Sequence, residues 1–312
     1  LGSFNLAWEL DVWGRIRNST NAARAQFFAE EDVRRGVLLS LVSEVAQRYF
    51  ELLGLDRELQ ITTATTATYR DTVDLFERRY KGGIGTLLEV SRARADLKIA
   101  SANIPDLERQ IVAAENQLCV LLGRPPGPVA RAQSLDQQIV VPELPVGLPS
   151  QLLERRPDVL RAEHLLVAAN AAVGIAATNF FPRIGLTNLY GGQSSALENV
   201  VKGSGNVWAV AGTLTGPIFQ GGRLLAEYEA SRARWAQAVE EYQKVSLQAF
   251  AEVSSVLVNH QKLKIIREER EDTVRELRTS VALALQRYND GIANYFEVLE
   301  AQQQLFPAQL NL

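Results

Sequence analysis

The chain has 312 residues, enough for one large domain or two ordinary ones. Its formal net charge of −3 argues against a nucleic-acid-binding protein, which would carry a basic stripe. The single cysteine, Cys119, excludes an intramolecular disulfide and a cysteine-based metal site, and we expect it to be a small buried hydrophobe. No run of 18 or more apolar residues is present, which predicts that no helix crosses a membrane; membrane-crossing β-strands leave a weaker signal.

The first predicted element is a strand over residues 4–13. Its even-numbered residues, from Phe4 to Val12, are apolar, whereas the odd-numbered ones are small or polar, a period of two that is typical of a strand with one wet face. A long helix over 17–79 follows, with no proline and only two glycines. At about 1.5 Å per residue it would span roughly 95 Å, so it must pack against similar rods.

The rest of the chain is predicted to be helical apart from one hairpin and its connections. Residues 80–85 form a turn and 86–122 a second helix, and the proline-rich segment 123–151 is a linker. A helix over 156–179 precedes two strands, 180–192 and 207–219, which form a hairpin. The last elements are a long helix over 222–286, a turn over 287–293 and a helix over 294–312.

The sequence repeats itself at an offset of 208 residues. Identical residues occupy equivalent positions around both predicted helical turns: Tyr80 and Tyr288, Gly83 and Gly291, Ile84 and Ile292, Glu89 and Glu297, Val90 and Val298, Ala93 and Ala301. Agreement at one fixed spacing predicts a duplicated unit, with a first repeat over 1–122 and a second over 152–312.

The offset also makes the opening strand the second arm of a hairpin. The first arm, with a helix before it, would lie before residue 1, so we expect this strand to have no partner in the chain. The absence of an initiator methionine agrees with a sequence that is incomplete at its N-terminus.

The predicted strands, of 10–13 residues, are long enough to cross a bilayer when tilted by about 45°. Four aromatic residues are candidate anchors at the membrane interface: Trp8, Trp13, Tyr190 and Trp208. Two hairpins are too few to close a barrel, so the strands would need other chains. The alternative at this point is a soluble sheet that exposes a few aromatic side chains.

The sequence lacks the parts of an enzyme. The two histidines, His164 and His260, lie in different helical segments, without a nucleophile motif or a metal-ligand spacing nearby. The glycine-rich stretches lack a phosphate-binding pattern and are interpreted as turns. We therefore predict no catalytic residue, no cofactor and no metal.

Four segments, "WELDVWGRIR", "LLERRPDVLRAEHLLVAANAAVGIAATNFFPRIGLT", "GPIFQGGR" and "RYNDGIANYFEVLEAQQQLF", carry a family resemblance. The chain resembles the outer-membrane efflux channel family, the TolC-like proteins, in its NodT-like lipoprotein branch. The resemblance implies a mainly α protein with membrane β: three subunits each give four strands to a 12-stranded barrel, and long antiparallel helices continue it as an α-barrel across the periplasm. The segment 123–151 is similar to the equatorial region, and the signal sequence and lipidated cysteine would precede residue 1.

The same resemblance implies the function and the partners. The expected protein is a passive homotrimeric exit duct in the outer membrane of a Gram-negative bacterium, for drugs or other small toxic compounds. Its partners would be outer-membrane lipid, a periplasmic adaptor (membrane fusion) protein and an inner-membrane pump of the resistance-nodulation-division type, without nucleic acid. A type I secretion duct for polypeptides and a soluble coiled-coil scaffold remain alternatives.

The resemblance also implies candidate site residues. The adaptor would dock at the two helical turns, through Gly82, Gly83, Ile84, Gly291 and Ile292. Glu297 and Glu300 match paired acidic residues that ring the pore constriction, where like-charge repulsion would raise carboxyl pKa values. Tyr288 and Glu89 match positions that are linked across helices in the closed state. Ala293 stands where family members commonly carry an additional polar or charged residue, which implies either a weaker latch network or one that relies on Arg287 and Asn294.

Overall fold

The structure is a computed structural model that describes residues 2–137, 154–192 and 206–312. The predictions for the rest of the linker and for the connection between the two hairpin strands lie outside the described residues. The helices and strands are β1 Gly2–Leu10, α1 Arg15–Lys81, α2 Leu87–Leu121, a 3₁₀ turn Leu135–Gln137, α3 Pro157–Thr178, β2 Arg183–Gly192, β3 Asn206–Thr215, α4 Arg223–Asn289 and α5 Tyr295–Asn311.

The three strands form one antiparallel sheet in the order β1-β2-β3. β2 and β3 pair from Arg183 with Thr215 to Gly192 with Asn206, as the predicted hairpin requires. β1 pairs with β2 from Gly2 with Gly192 to Leu10 with Ile184. The prediction that the opening strand has no partner in this chain is therefore wrong. The repeat indicated only its hairpin neighbour and could not reveal a pairing between the two repeats.

β1 also ends earlier than the period-two pattern predicts. Its last residue is Leu10, so Trp13 lies outside the strand. The cause is the side chain of Asp11, which accepts hydrogen bonds from the backbone N–H groups of Ile16 and Arg17, both at 2.8 Å. These first-turn N–H groups have no partner within the helix, so Asp11 caps α1 and ends the strand.

The chain divides into two compact units. The first contains Leu1–Val37 and Val146–Glu252, and the second contains Leu38–Pro145 and Val253–Leu312. The division falls inside α1 and inside α4, so each unit takes residues from both predicted repeats. The repeat boundaries at 122 and 152 remain a prediction about the ancestry of the sequence.

In the first unit, α3 packs against the beginning of α1. The imidazole Nδ1 of His164 lies 2.8 Å from a carboxylate oxygen of the buried Asp32. Near the end of α3, Gly174 leaves room for Asn18, whose side chain a Cβ atom would approach to 2.8 Å. The two helices therefore contact each other through a hydrogen bond at His164 and a close approach at Gly174.

By length and composition α3 could cross a membrane, with a mean hydropathy of 1.3 over its most apolar window. Polar residues such as His164 interrupt its apolar residues, so α3 contains no unbroken apolar run of the length sought in the sequence. A single such helix is weak evidence for a membrane span, since the core helix of a soluble protein can have the same composition.

In the second unit, α1 and α2 pack around Leu52, Ala114 and Leu118. The start of the linker is fastened to both helices by Arg131, which donates to Asp56 on α1 at 2.8 Å and to Glu115 on α2. Cys119 is buried beside this linker, as predicted, with its sulfur 3.4 Å from the carbonyl oxygen of Gly127.

Candidate functional site

The two predicted helical turns have the same hydrogen-bonding pattern. In the first, Gly83 N–H donates to the carbonyl oxygen of Tyr80 and Ile84 N–H donates to that of Arg79, both at 3.0 Å. In the second turn, 208 residues later, Gly291 N–H donates to the carbonyl oxygen of Tyr288 at 3.1 Å and Ile292 N–H donates to that of Arg287 at 2.9 Å. This pair of bonds is the Schellman arrangement, in which a residue with positive φ ends a helix.

A glycine occupies the positive-φ position of each turn. Gly83 has a φ of +75° and Gly291 a φ of +74°, where a side chain would be strained. The next residue of each turn is an isoleucine that points into solvent, and Ile84 and Ile292 are 75% and 72% exposed. Each turn therefore presents one apolar side chain on a fixed backbone.

A buried aromatic cluster joins the two helical hairpins in the second unit. The ring centroid of Phe76 on α1 lies 4.1 Å from that of Tyr295 on α5 and 6.1 Å from that of Tyr288 on α4. Val90 of α2 and Val298 of α5 belong to the same buried cluster. The α1–α2 turn and the α4–α5 turn therefore share one hydrophobic core, which brings the predicted site residues together.

Tyr288 is contacted by Arg79, whose guanidinium carbon lies 4.8 Å from the centre of the tyrosine ring. Burial raises the pKa of the Tyr288 phenol; the charge and hydrogen bonding of Arg79 lower this pKa in part, and the nearby carboxylate of Glu89 raises it. Sequence reasoning did not single out Arg79, because a cation–π contact between hairpins has no local sequence pattern.

Glu89 makes hydrogen bonds with Thr86, the N-cap residue of its own helix, α2. Its carboxylate accepts from the N–H of Thr86 at 2.7 Å, and the Thr86 hydroxyl accepts from the N–H of Glu89 at 3.3 Å. This reciprocal pair is a capping box that begins α2. The spacing T-x-x-E at 86–89 is a recognisable signal for it in the sequence.

The second repeat differs at this cap. Asn294 replaces threonine at the N-cap of α5, and its side chain makes no capping hydrogen bond there. Glu297 instead lies 3.6 Å from the guanidinium of Arg287. Glu297 and Glu300 are both exposed, on the side of α5 opposite the buried Val298 and Leu299. The two carboxylates thus share an open face, as their spacing predicts.

A partly buried carboxyl group lies deeper in the same unit. Asp96 of α2 accepts from the side chain of Gln303 on α5 at 3.4 Å. Within the described part of the chain, its other carboxylate oxygen is buried without a hydrogen-bond partner. Burial raises the pKa of Asp96. Sequence reasoning did not single out this residue, because only the packing of two hairpins removes it from solvent.

The sheet in the first unit has two chemically different faces. One face carries apolar residues on all three strands: Phe4, Leu6, Trp8 and Leu10, then Ile184, Leu186 and Tyr190, then Trp208, Val210 and Leu214. Phe4 is 85% exposed and Trp208 is 72% exposed. The other face carries mostly small and polar residues such as Asn5, Ala7 and Thr187, together with Leu189 and Val207, whereas the polar Asn188 and Asn206 share the apolar face. An exposed apolar face across three strands is rare on a soluble protein.

Three of the four predicted interface aromatics lie on that apolar face, and the fourth lies elsewhere. Phe4, Tyr190 and Trp208 are directly opposite one another across the sheet, and Trp8 faces Leu186. Trp13 instead stacks on Phe181 with a centroid distance of 4.7 Å and donates its indole N–H to the carbonyl oxygen of Pro182 at 2.9 Å. Through these two contacts Trp13 connects the segment before α1 to the segment before β2.

Across residues 2–137, 154–192 and 206–312, no group of three or more His, Cys, Asp or Glu side chains could hold a metal ion. The exposed isoleucines of the turns can contact an apolar surface of a partner, and the exposed carboxylates of Glu297 and Glu300 can attract cations. The buried aromatic cluster holds the two helical hairpins together.

Comparison with known proteins gives a consistent match over almost the whole chain. The family described as "Outer membrane efflux protein" matches residues 2–124 and 148–312. The "Cation efflux system protein CusC" of Escherichia coli O6:H1 is 33% identical over 309 residues, which are 99% of this chain and 67% of the relative. "Outer membrane protein OprJ" of Pseudomonas aeruginosa is 36% identical over 304 residues, 96% of this chain and 63% of the relative.

The fold matches a solved structure as well. The crystal structure of the outer membrane protein VceC from Vibrio cholerae superposes with a TM-score of 0.89 at 28% identity, over 99% of this chain and 74% of that one. The chain thus spans about two thirds of the length of the curated relatives it matches.

Proposed function

Because the chain belongs to the outer membrane efflux protein family, we propose that it is part of the outer-membrane channel of a tripartite efflux system. The channel is a passive homotrimeric exit duct for drugs or other small toxic compounds, with no catalytic step. The observation that carries this proposal is the exposed apolar face of the three-stranded sheet. Lipid is the solvent that such a face requires, since in water it would drive association.

Closure by other subunits follows from the same sheet. β1 and β3 are its two edges, and each edge presents backbone N–H and C=O groups without a partner in this sheet. Such groups cannot remain unpaired in the hydrocarbon layer, so a sheet that lies in lipid must be completed into a barrel. Three copies, each giving strands to one wall, are the arrangement that the family resemblance implies.

The two turns are the proposed docking surface for a periplasmic adaptor. Ile84 and Ile292 are exposed, next to glycines with positive φ that fix the backbone. Small residues beside one exposed apolar side chain suit close contact with a partner helix. The adaptor would connect the duct to an inner-membrane pump of the resistance-nodulation-division type.

Glu297 and Glu300 are the proposed pore constriction. In a trimer they form two stacked rings of three carboxylates, which favour cations over anions and bind divalent cations. The ion pair of Glu297 with Arg287 partly neutralises the negative charge of the Glu297 ring. Cation selectivity with block by divalent cations is therefore the expected conductance signature.

The cargo is a small molecule or ion rather than a polypeptide. The relatives named above include a cation efflux protein, and others are named for antibiotic and toluene efflux. These names support an efflux duct over a type I secretion duct.

The purified protein in planar lipid bilayers tests this proposal. Glu297→Ala with Glu300→Ala should raise single-channel conductance and shift the reversal potential in a salt gradient toward zero, since the fixed negative charge is lost. Glu268→Ala with Glu271→Ala is the matched control, because these carboxylates are also exposed and three residues apart. Unchanged conductance and selectivity in the Glu297 and Glu300 variant would overturn the assignment of the constriction.

A further inference from the structure

Two arginines at equivalent repeat positions make different contacts. Arg79 and Arg287 both lie in the last turns of long helices, and the carbonyl oxygen of each accepts the N–H of the isoleucine in the following turn. The side chain of Arg287 stays within its own hairpin and pairs with Glu297. The side chain of Arg79 crosses to the other hairpin and lies over the ring of Tyr288.

The environment of Tyr288 makes this contact effective. Tyr288 is only 7% exposed, and its ring lies edge-on to those of Phe76 and Tyr295. A cation over an aromatic face is attracted more strongly when water is excluded, because the local dielectric is lower. Arg79 is therefore placed over a ring that other hydrophobic side chains hold in position.

A second arginine of the first hairpin makes a longer contact with a ring of the second hairpin, and that ring is exposed. Arg92 of α2 lies with its guanidinium carbon 6.0 Å from the ring centre of Phe296 on α5. Both contacts run from a cation of the first hairpin to an aromatic ring of the second. The first hairpin is also internally braced, since Arg94 of α2 pairs with Glu77 of α1 at 2.5 Å.

One oxygen of the Glu89 carboxylate, Oε2, has a role in capping α2. It accepts from the N–H and the hydroxyl of Thr86 at 2.7 and 3.1 Å, which begins α2. Both bonds go to the Oε2 oxygen, so a bond from the Tyr288 phenol to Oε1 would not compete with the helix cap. Across the two hairpins, Arg79 contacts the ring face of Tyr288, and its charge and hydrogen bonding also favour the ionised form of the phenol.

We propose that Arg79 is the positioning residue that holds the second hairpin against the first in the closed duct, through its cation–π contact with Tyr288. This inference rests on the proposed function of the chain as a gated channel. Arg79 does not bind the cargo; it acts through Tyr288. Loss of the contact should shift the balance between closed and open forms by about tenfold in each protomer.

Single-channel recording on the purified protein tests the proposal with two pairs of variants. Arg79→Gln should raise the open probability, whereas Arg78→Gln should not, because Arg78 is the exposed neighbouring arginine. Tyr288→Leu should raise the open probability more than Tyr288→Phe does, since phenylalanine keeps the aromatic face under Arg79 and loses only what the hydroxyl contributes. Ion selectivity should stay unchanged in Arg79→Gln, because Glu297 and Glu300 remain.

The outcomes separate the inference from the proposed function. If Tyr288→Phe opens the channel as strongly as Tyr288→Leu, the phenol bond rather than the ring contact holds the hairpins and the inference is wrong. Equal open probabilities for Arg79→Gln and Arg78→Gln would overturn it as well. An unmodified protein that forms no pores at all would instead contradict the proposed function. The Tyr288→Phe comparison stays decisive even where Arg79→Gln folds poorly.

Discussion

At the scale of single residues, the tryptophans have different roles according to whether they lie within a strand or outside it. Trp8 and Trp208 lie exposed on the apolar face of the sheet, whereas Trp13, five residues after Trp8, stacks on Phe181 and donates to a carbonyl oxygen. The sequence alone grouped all three as interface aromatics. The distinction depends on where β1 ends, and Asp11 determines that by capping α1.

Asp96 gives a prediction about pH at this scale. Burial raises its pKa above the ordinary value of 3.8, so the folded protein binds a proton at a higher pH than the unfolded chain does. The stability that this group contributes is therefore present at low pH and is lost as pH rises through the raised value. Near neutral pH, Asp96→Asn should stabilise the protein by roughly 1 kcal/mol, because it removes a partly buried charge.

Thermal unfolding of parent and variant near pH 7 and near pH 4 measures this effect. The difference between them should shrink at the lower pH, where Asp96 takes up its proton. Asp74→Asn is the matched control, since Asp74 is exposed. A destabilised Asp96→Asn protein at neutral pH, or a difference that grows on acidification, would show that the carboxylate is favoured as an ion.

At the scale of elements, the long helices and their turns could be predicted from sequence because their signals are local. The structure begins α1 at Arg15 and ends it at Lys81, two residues outside the predicted helix at each end. The turn glycines and the T-x-x-E cap are likewise local signals. The pairing of β1 with β2 was missed because it joins residues that are far apart in the chain.

The turn glycines give a prediction about elements. Gly83→Ala and Gly291→Ala place a Cβ atom on a residue with positive φ, so each should destabilise the protein by about 1–2 kcal/mol. Gly54→Ala is the opposite control: Gly54 is helical and has open space around its Cβ position, so alanine should stabilise α1 by up to about 1 kcal/mol.

Chemical denaturation of the three variants measures these changes. An equal effect of alanine at residues 54, 83 and 291 would mean that the turns do not need the left-handed conformation. It would also remove the reason for a fixed turn as a docking surface.

At the scale of the whole molecule, the duplication in the sequence does not correspond to the compact units. Each unit is assembled from parts of both repeats, and the aromatic cluster of Phe76, Tyr288 and Tyr295 joins equivalent hairpins from the two copies. A repeat shows which segments are alike but not which segments pack together. The contacts of Arg79 and Asp96 depend on that packing, so sequence reasoning could find the acidic residues and the turns but not these two.

The central claim is that the apolar face of the sheet contacts lipid as part of a channel wall. Spin labels on single cysteines, introduced into a Cys119→Ser background and reconstituted in lipid bilayers, test it most directly. Leu6 and Val210 lie on the apolar face, and Ala7 and Ala211 are their neighbours on the other face. Labels at residues 6 and 210 should be relaxed mainly by oxygen, which partitions into lipid, and labels at 7 and 211 mainly by a water-soluble nickel chelate. Equal accessibility on both faces, or oxygen relaxation confined to residues 7 and 211, would contradict the account.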